Sequence, residues 1–395
     1  MQQGGKSGAA GLRVAIDARM VRITGIGRYT EELVQSLAAE GVQPTVFVSP
    51  VDAAWWHVRH PSIPYRIAPE QIYSWSEQLI LPARFSREQF DLVHFTNFNV
   101  PIAFRGRFVV TIHDTIPLHY SGERRRSGLS RQAYSGVLRS AIQRAERVIV
   151  PSVLVRDELI DFLVRAYGSS DFGVDQLTNK IVVVPHGISD AFCSPVTTEN
   201  EASRVFGRFG IGSPYALYVG NFRAHKNVET LIQAFAIARS SIPQAELLLV
   251  GAITLVQRQA LESLINRLEL GKSVRFLGAV SDTDLRVLYD GARMAVVPGL
   301  VEGFGIPALE AAARGTVVLA SSTTPVREFL HDAVLSFDPQ DASQLASVMA
   351  IAWVNQPLRQ RLGAKARSYA LSRDWAMVAH DTLEVYQRAL ARRSV

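Results

Sequence analysis

Short apolar, β-branched runs alternate with helical patterns along almost the whole of this 395-residue chain. Such alternation specifies parallel strands joined by helices that cover both faces of a sheet. Strands are predicted over 13–17, 44–49, 92–95, 108–113, 147–151 and 180–185, with helical stretches at 27–38 and 131–145. The pattern then restarts. Strands at 215–220, 246–251, 274–278, 294–298, 317–320 and 334–337 alternate with helices at 228–240, 255–268, 282–292, 307–313 and 342–354. A βα pattern that begins twice in a chain of this length argues for two doubly wound domains in tandem.

The expected organisation is an N-terminal Rossmann-like domain over 1–190 and a second one over 214–372. Between them, 191–213 is polar and poorly periodic, with Ser194-Pro195, Gly212 and Pro214, and reads as a linker. The tail, 373–395, carries one more amphipathic helix at 375–392. Doubly wound sheets bind ligands outside the C-terminal ends of their strands. Two such edges facing across a cleft would hold a donor on one side and an acceptor on the other.

Composition narrows the class. With 48% hydrophobic and 20% charged residues, the chain can bury two sizeable cores. A single cysteine, Cys193, excludes a disulfide framework and a cysteine zinc cluster, and fits a reducing cytoplasm. Residues 1–11 lack the apolar core of a signal peptide, and no run of 18 apolar residues predicts a membrane-spanning helix. The net charge of +6 favours phosphorylated or anionic partners. It is scattered, and no RNA-binding signature, zinc finger or heptad repeat accompanies it, so nucleic acid is not an expected partner. The densest cluster, Arg124-Arg125-Arg126 with Arg131, reads either as a solvated loop or as a surface for anionic lipid; Trp55-Trp56 reads as core or as part of such a surface.

The most informative stretch is Glu302-Gly303-Phe304-Gly305-Ile306-Pro307-Ala308-Leu309-Glu310. Two carboxylates flank glycines that let backbone approach a ligand, and Pro307 suits a first helical turn. The amides of 303–306 would then form an anion site at a helix start. A phosphate between two sets of hydroxyls describes a nucleotide sugar. A second loop, Gly220-Asn221-Phe222-Arg223-Ala224-His225-Lys226-Asn227, follows a predicted strand and precedes a helix. Arg223 and Lys226 there could grip a diphosphate and stabilise it as it departs. A merely basic surface loop is the plain alternative.

Three further features sit near strand ends. Gly25-Ile26-Gly27-Arg28-Tyr29 follows the first strand and suits a tight turn facing a phosphate or a sugar. The third glycine of a dinucleotide fingerprint is replaced by Thr30, and no acidic residue ends the next strand, so an NAD-dependent oxidoreductase is not supported. His113, at the end of the 108–113 strand, could bond a sugar hydroxyl or move a proton. His94 and His186 read as structural. Asp282-Thr283-Asp284 precedes a helix and reads as an N-cap rather than a metal site; with no second carboxylate cluster, no metal is expected.

Together these residues resemble glycosyltransferase family 4, retaining enzymes of the GT-B fold. The likeness runs from Val14 to about Gln387 and is most specific at Glu302–Glu310, which looks like the family's Glu-x7-Glu motif. Supporting segments are Tyr218-Val219-Gly220-Asn221, His225-Lys226-Asn227, Phe276-Leu277-Gly278, Gly25-Ile26-Gly27-Arg28-Tyr29 and Thr111-Ile112-His113-Asp114. Asn221 stands where many relatives carry arginine, with Arg223 two residues on.

The resemblance implies roles. Glu302 would contact the donor sugar and Glu310 the ribose, with Gly303, Phe304, Gly305 and Ile306 between them. Lys226 and Arg223 would bind the diphosphate next to Gly220 and Asn221. Backbone at Val280 would meet the base, and His113 would touch the transferred sugar. Gly25, Ile26 and Gly27 would face phosphate or acceptor, and the last helix would cross back onto the N-terminal domain.

The implied reaction is metal-independent transfer of a hexose with retained configuration. The donor that this form of the motifs best resembles is GDP-mannose. The acceptor would be a saccharide or lipid-linked oligosaccharide of polysaccharide or lipopolysaccharide synthesis. The expected place is the cytoplasm, in peripheral contact with an anionic membrane. A UDP-sugar enzyme and a nucleotide-sugar-binding protein without transfer activity are the alternatives.

Overall fold

A computed structural model describes residues 11–119, 128–168, 173–194 and 197–391. The chain forms two units, one of Met1–Gly187 with Asp374–Val395, the other of Ile188–Arg373.

The first unit holds seven parallel strands: β1 (Arg13–Asp17), β2 (Gln43–Val48), β3 (Tyr65–Ile67), β4 (Leu92–Phe95), β5 (Phe108–Thr111), β6 (Arg147–Val150) and β7 (Ile181–Val183). Their order is β3-β2-β1-β4-β5-β6-β7, so the winding reverses between β1 and β4. The central strands β4, β5 and β6 are buried at every position, as expected where helices cover both faces of a parallel sheet. One face packs Leu33, Val34 and Leu37 of the helix Thr24–Ala39 with Val378, Leu383 and Tyr386 of the final helix, Trp375–Ala391. The other packs Phe47, Phe85, Phe95, Phe104 and Phe108. β3 was not anticipated; it is a three-residue edge strand with little burial, too short for a periodicity signal.

The second unit holds β8 (Tyr215–Val219), β9 (Glu246–Val250), β10 (Val274–Gly278), β11 (Met294–Val297), β12 (Val318–Ser321) and β13 (Val334–Phe337). All neighbours are parallel, in the order β10-β9-β8-β11-β12-β13, with the reversal between β8 and β11.

The predicted linker needs correction. Most of 191–213 is helical and belongs to the second unit, as Asp190–Cys193 and Glu199–Phe209. Thr198 and Glu201 close a capping box on the longer helix, whose buried Val205 packs in the same core as Phe192. Ala202, Val205, Phe206 and Phe209 recur at helical spacing behind that capping box, an amphipathic pattern that the low overall apolar content of the segment obscured. The chain changes units at Gly187 and again at Arg373, where Ile188 N–H donates to the Arg373 carbonyl at 3.0 Å. Glycine is required at 187, since a Cβ would lie 2.6 Å from the Asp374 carbonyl.

Candidate active site

In the second unit the site grows from the β8/β11 reversal, where adjacent loops leave in opposite directions and open a crevice. The loop after β8 runs through Gly220 and Asn221 to a 3₁₀ turn, Ala224–Lys226. The loop after β11 runs from Pro298 to Gly305 and enters the helix Ile306–Ala313. Backbone and side-chain bonds join them. Leu300 N–H donates to the His225 carbonyl at 2.7 Å, and Asn227 Nδ2 donates to the Pro298 carbonyl at 3.1 Å. Lys226 Nζ donates to both Glu302 oxygens at 2.7 Å.

Each member of this centre is shaped by its surroundings. Glu302 is buried, and a side chain at Gly299 would bring a Cβ within 2.9 Å of its Oε1. Burial, and then the Glu302 charge, push the Tyr218 hydroxyl well above its ordinary range. That hydroxyl donates to the Asn221 carbonyl and forms a floor beneath the loop. His225 is buried; burial, then the charges of Lys226 and Arg223, draw its pKa down to about 4, so the ring is neutral at neutral pH. The Arg223 side chain is exposed at the turn's start.

Gly305 is the N-cap of the Ile306–Ala313 helix at φ 99°, in the left-handed region, with Pro307 in the first turn. It supplies no capping side chain, so the helix start keeps its favourable field for an anion. Phe304 stacks on Phe329 with centroids 4.5 Å apart and so fixes the loop from behind. Glu310 lies on the same helix, buried, and accepts a hydrogen bond from Tyr289 Oη at 3.1 Å. At the adjoining edge, Gly251 N–H donates to the Gly278 carbonyl at 2.8 Å. Val280, half-buried, follows β10 and packs on the unit's core.

The first unit has its own reversal between β1 and β4. His113 lies two residues past β5, because the strand ends at Thr111 rather than at the predicted 113. Its Nε2 lies 2.9 Å from the Thr96 carbonyl. A carbonyl only accepts, so Nε2 carries the proton. Burial lowers the His113 pKa to about 4, against which the Thr96 bond works only weakly. The ring is therefore neutral, with Nδ1 as an acceptor. Tyr29 meets it edge-on at 4.7 Å and His186 stacks at 5.7 Å. His94 is structural, as read: fully buried, with Nε2 2.7 Å from Thr111 Oγ1 and Nδ1 2.7 Å from Tyr386 Oη.

Other expectations change. Gly25, Ile26 and Gly27 are not a loop but the first turn of the Thr24–Ala39 helix. Gly27 is needed because a Cβ there would lie 2.2 Å from the Val21 carbonyl oxygen. Ser281, not the aspartates, caps the Asp282–Gly291 helix; Asp284 lies in its first turn, paired with Arg208 at 2.7 Å. Trp56 is fully buried, and Arg124–Arg126 lie outside the described residues.

Sequence reading missed a buried polar network at the β1/β4 reversal. Arg19 Nε and Nη2 donate to the two oxygens of Asp17 at 2.8 and 2.7 Å, and Nη2 also reaches Glu77 Oε1 at 2.7 Å. Asn99 Nδ2 donates to the same Glu77 oxygen at 2.7 Å, and Asn97 Nδ2 to Asn99 Oδ1 at 2.9 Å. Burial works against the Arg19 charge, but Asp17 and Glu77 hold it above the usual arginine range. Asp17-Ala18-Arg19 directly after a buried strand was a usable signal. Glu77 and Asn99 offered none, being joined to it only by the fold.

Two parallel sheets of this order, each with its winding reversed once, define a tandem Rossmann-like α/β architecture. Comparison with known proteins makes it specific. The pattern of "Glycosyltransferase Family 4" matches residues 23–192, and that of "Glycosyl transferases group 1" matches residues 189–369. O-antigen chain mannosyltransferase B of Escherichia coli is 27% identical over 300 residues, covering 75% of this chain and 74% of that protein. D-inositol 3-phosphate glycosyltransferase of Arthrobacter sp. is 25% identical over 401 residues, covering 93% and 90%. The crystal structure of Anabaena HepE in complex with UDP and glucose superposes with a TM-score of 0.75 at 17% identity, covering 95% of this chain and 99% of that one. The fold is GT-B, and the protein is a glycosyltransferase. The chain belongs to family 4, with a group 1 domain as its second half.

Proposed function

We propose that this chain transfers mannose from GDP-mannose, with retained anomeric configuration, to a saccharide or lipid-linked oligosaccharide in polysaccharide or lipopolysaccharide synthesis. The observation that carries the proposal is the Lys226–Glu302 pair at the β8/β11 reversal, next to an uncapped helix start. The pair sets a cation where a departing diphosphate needs one and a carboxylate where sugar hydroxyls need an acceptor. The mannose assignment is supported by the O-antigen mannosyltransferase similarity.

In this account the bond from the anomeric carbon to the β-phosphate oxygen breaks while the acceptor oxygen bonds that carbon on the same face. The acceptor proton passes to the departing phosphate. Lys226 and Arg223 take up the growing phosphate charge, with the amides at the Ile306–Ala313 helix start beside them. Gly220, Asn221 and the Gly303–Ile306 backbone shape the diphosphate and sugar pocket. Glu310, oriented by Tyr289, accepts the ribose hydroxyls, and backbone at Val280 meets the base. His113, neutral and with Nδ1 as acceptor, takes a hydrogen bond from a sugar hydroxyl. Gly25 and Ile26, in a helix first turn, offer amides to phosphate or acceptor, and Gly27, whose own N–H donates to the Ile23 carbonyl at 3.0 Å, closes that turn beside them. Charge is handled by side chains and helix amides, so transfer is expected to persist in EDTA. The reaction takes place in the cytoplasm at the inner membrane face.

HepE, crystallised with UDP and glucose, gives a UDP-sugar donor as the second reading. A donor panel decides. GDP-mannose should raise the melting temperature most and release GDP when a mannose-containing acceptor is added. A larger shift and turnover with UDP-glucose would replace the donor. A shift without nucleotide release from any donor and acceptor pair would leave a binding protein.

A further inference from the structure

Asn227 closes the 3₁₀ turn that carries Lys226 and opens the helix Val228–Ala238. Its backbone is left-handed, at φ 55° and ψ 36°. Asparagine tolerates that conformation, but glycine adopts it with less strain. Asparagine is also a preferred N-cap, yet this one makes no side-chain bond to the amides of its helix. The side chain reaches elsewhere. Nδ2 donates to the Pro298 carbonyl at 3.1 Å and to the Pro339 carbonyl at 2.8 Å, and Oδ1 accepts from Thr230 Oγ1 at 2.7 Å. Carbonyls only accept, so the amide must face them with its nitrogen.

Those carbonyls belong to two other loops of the second unit. Pro298 is buried and begins the loop that leads to Glu302, and Pro339 is buried two residues past β13. Buried carbonyls need donors, and this one amide serves both. The residue before it is held as a result. Lys226 N–H donates to the Arg223 carbonyl at 2.8 Å and Asn227 N–H to the Ala224 carbonyl at 3.0 Å. The Lys226 backbone therefore stands between a closed turn on one side and, on the other, a residue tied to the loops after β11 and β13. The turn by itself needs only left-handed backbone. It leaves the two bonds across to 298 and 339 unexplained.

We propose that Asn227 is a positioning residue for the transfer reaction, its amide fixing the Lys226 backbone so that the ammonium stands where the departing phosphate gathers charge. It acts through Lys226 rather than on donor or acceptor, and the proposal rests on the reading of Lys226 as the cation that meets the diphosphate. Lysine is a point charge on a flexible stem, so its place must be set by what holds the two ends of the residue. Glu302 holds the ammonium at 2.7 Å, and Asn227 holds the backbone. A cation displaced by about 1 Å still attracts a diphosphate whose charge is spread over several oxygens, but meets the leaving oxygen poorly in the transition state. The loss should therefore fall on kcat rather than on the KM for the donor.

The test is a double-mutant cycle on the full chain, read by nucleotide release from GDP-mannose with a mannose-containing acceptor. Asn227→Gly keeps the left-handed turn and removes the amide. It should lower kcat ~10-fold with the donor KM within ~2-fold, the pattern of a contact realised in the transition state. Lys226→Ala alone should cost ~100-fold. The double variant should be at most ~3-fold slower than Lys226→Ala, because without the lysine nothing is left to position. Thr230→Val removes the hydroxyl that orients the amide. It should lower kcat ~3-fold with the same coupling to Lys226→Ala, and it carries the test if Asn227→Gly does not fold. Losses that multiply to ~1,000-fold in the double variant would make Asn227 an independent structural support and overturn the proposal. So would an Asn227→Gly variant with unchanged kcat. Near-normal turnover by Lys226→Ala would overturn the donor reading itself, and the positioning role with it.

Discussion

Lys226 Nζ bonds both carboxylate oxygens of Glu302 at 2.7 Å, across 76 residues of sequence, and so ties the loop after β8 to the loop after β11. The two side chains are 17% and 10% exposed, too little for water to screen the pair as it would on a surface. Replacing Lys226 by alanine leaves the Glu302 charge without its cation. The variant should lose roughly 1–3 kcal/mol of stability, less than a fully buried pair. It should also lose ~100-fold or more in kcat/KM, the scale of one missing charge-stabilising contact. Calorimetry and nucleotide-release kinetics on the same preparation read both.

His113 should shape binding without shaping the pH profile. Its pKa is lowered from 6.5 to about 4 by burial, so its charge does not change near neutrality. The kcat/KM profile from about pH 6 to pH 8 should therefore show no step that vanishes in His113→Ala. The variant should lose turnover by a similar factor at every pH in that range. A step near pH 6.5 that disappears with His113 would contradict the neutral acceptor assigned here.

Stability should fall as the solution is acidified. His94 is held at about 3 by burial and then by the His113 charge, and His113 at about 4 by burial. Below 6.5 the unfolded chain takes up these protons while the folded chain does not, so acid favours unfolding. The stabilisation is complete above that value and drains away as the pH drops from it toward 4 and then 3. Melting temperatures across this window should fall less steeply in His94→Gln than in the wild type, though from a lower starting point because two buried hydrogen bonds are disturbed.

Gly251→Ala should damage the donor edge. Position 251 has φ 141°, and a Cβ there would lie 1.8 Å from the Gly220 carbonyl oxygen. Backbone has to move apart at the ends of β8 and β9, beside the Gly220–Lys226 loop. A cost of about 2–4 kcal/mol and a weakened donor shift are expected. Gly271→Ala, open to all but one contact at 3.8 Å, is the control and should leave both unchanged.

The fold was legible because its signal is repetitive: buried strands such as Leu92–Phe95 and Met294–Val297 are continuous apolar runs, and the run of βα units starts twice. The residues proposed for the donor side stood out because they cluster in two contiguous loops. What escaped depends on distance in sequence. Lys226 and Glu302 could each be assigned a ligand, but their bond to one another needs the β8/β11 neighbourhood. Glu77 carries no signal of its own, and only the fold brings it to Arg19, 58 residues away. The Glu199–Phe209 helix carries a capping box and an amphipathic stripe that its low apolar content obscured, and the first turn at Gly25–Gly27 was hidden by glycines that read as a loop.

The most direct test of the account is GDP release from GDP-mannose with a mannose-containing acceptor, wild type beside Glu302→Ala. Steady release and an α-linked product are expected from the wild type. The variant should lose ~100-fold or more, with its melting temperature nearly kept because Lys226 can turn its ammonium to water. Near-normal release by Glu302→Ala would contradict the place given to the Lys226–Glu302 pair in the reaction.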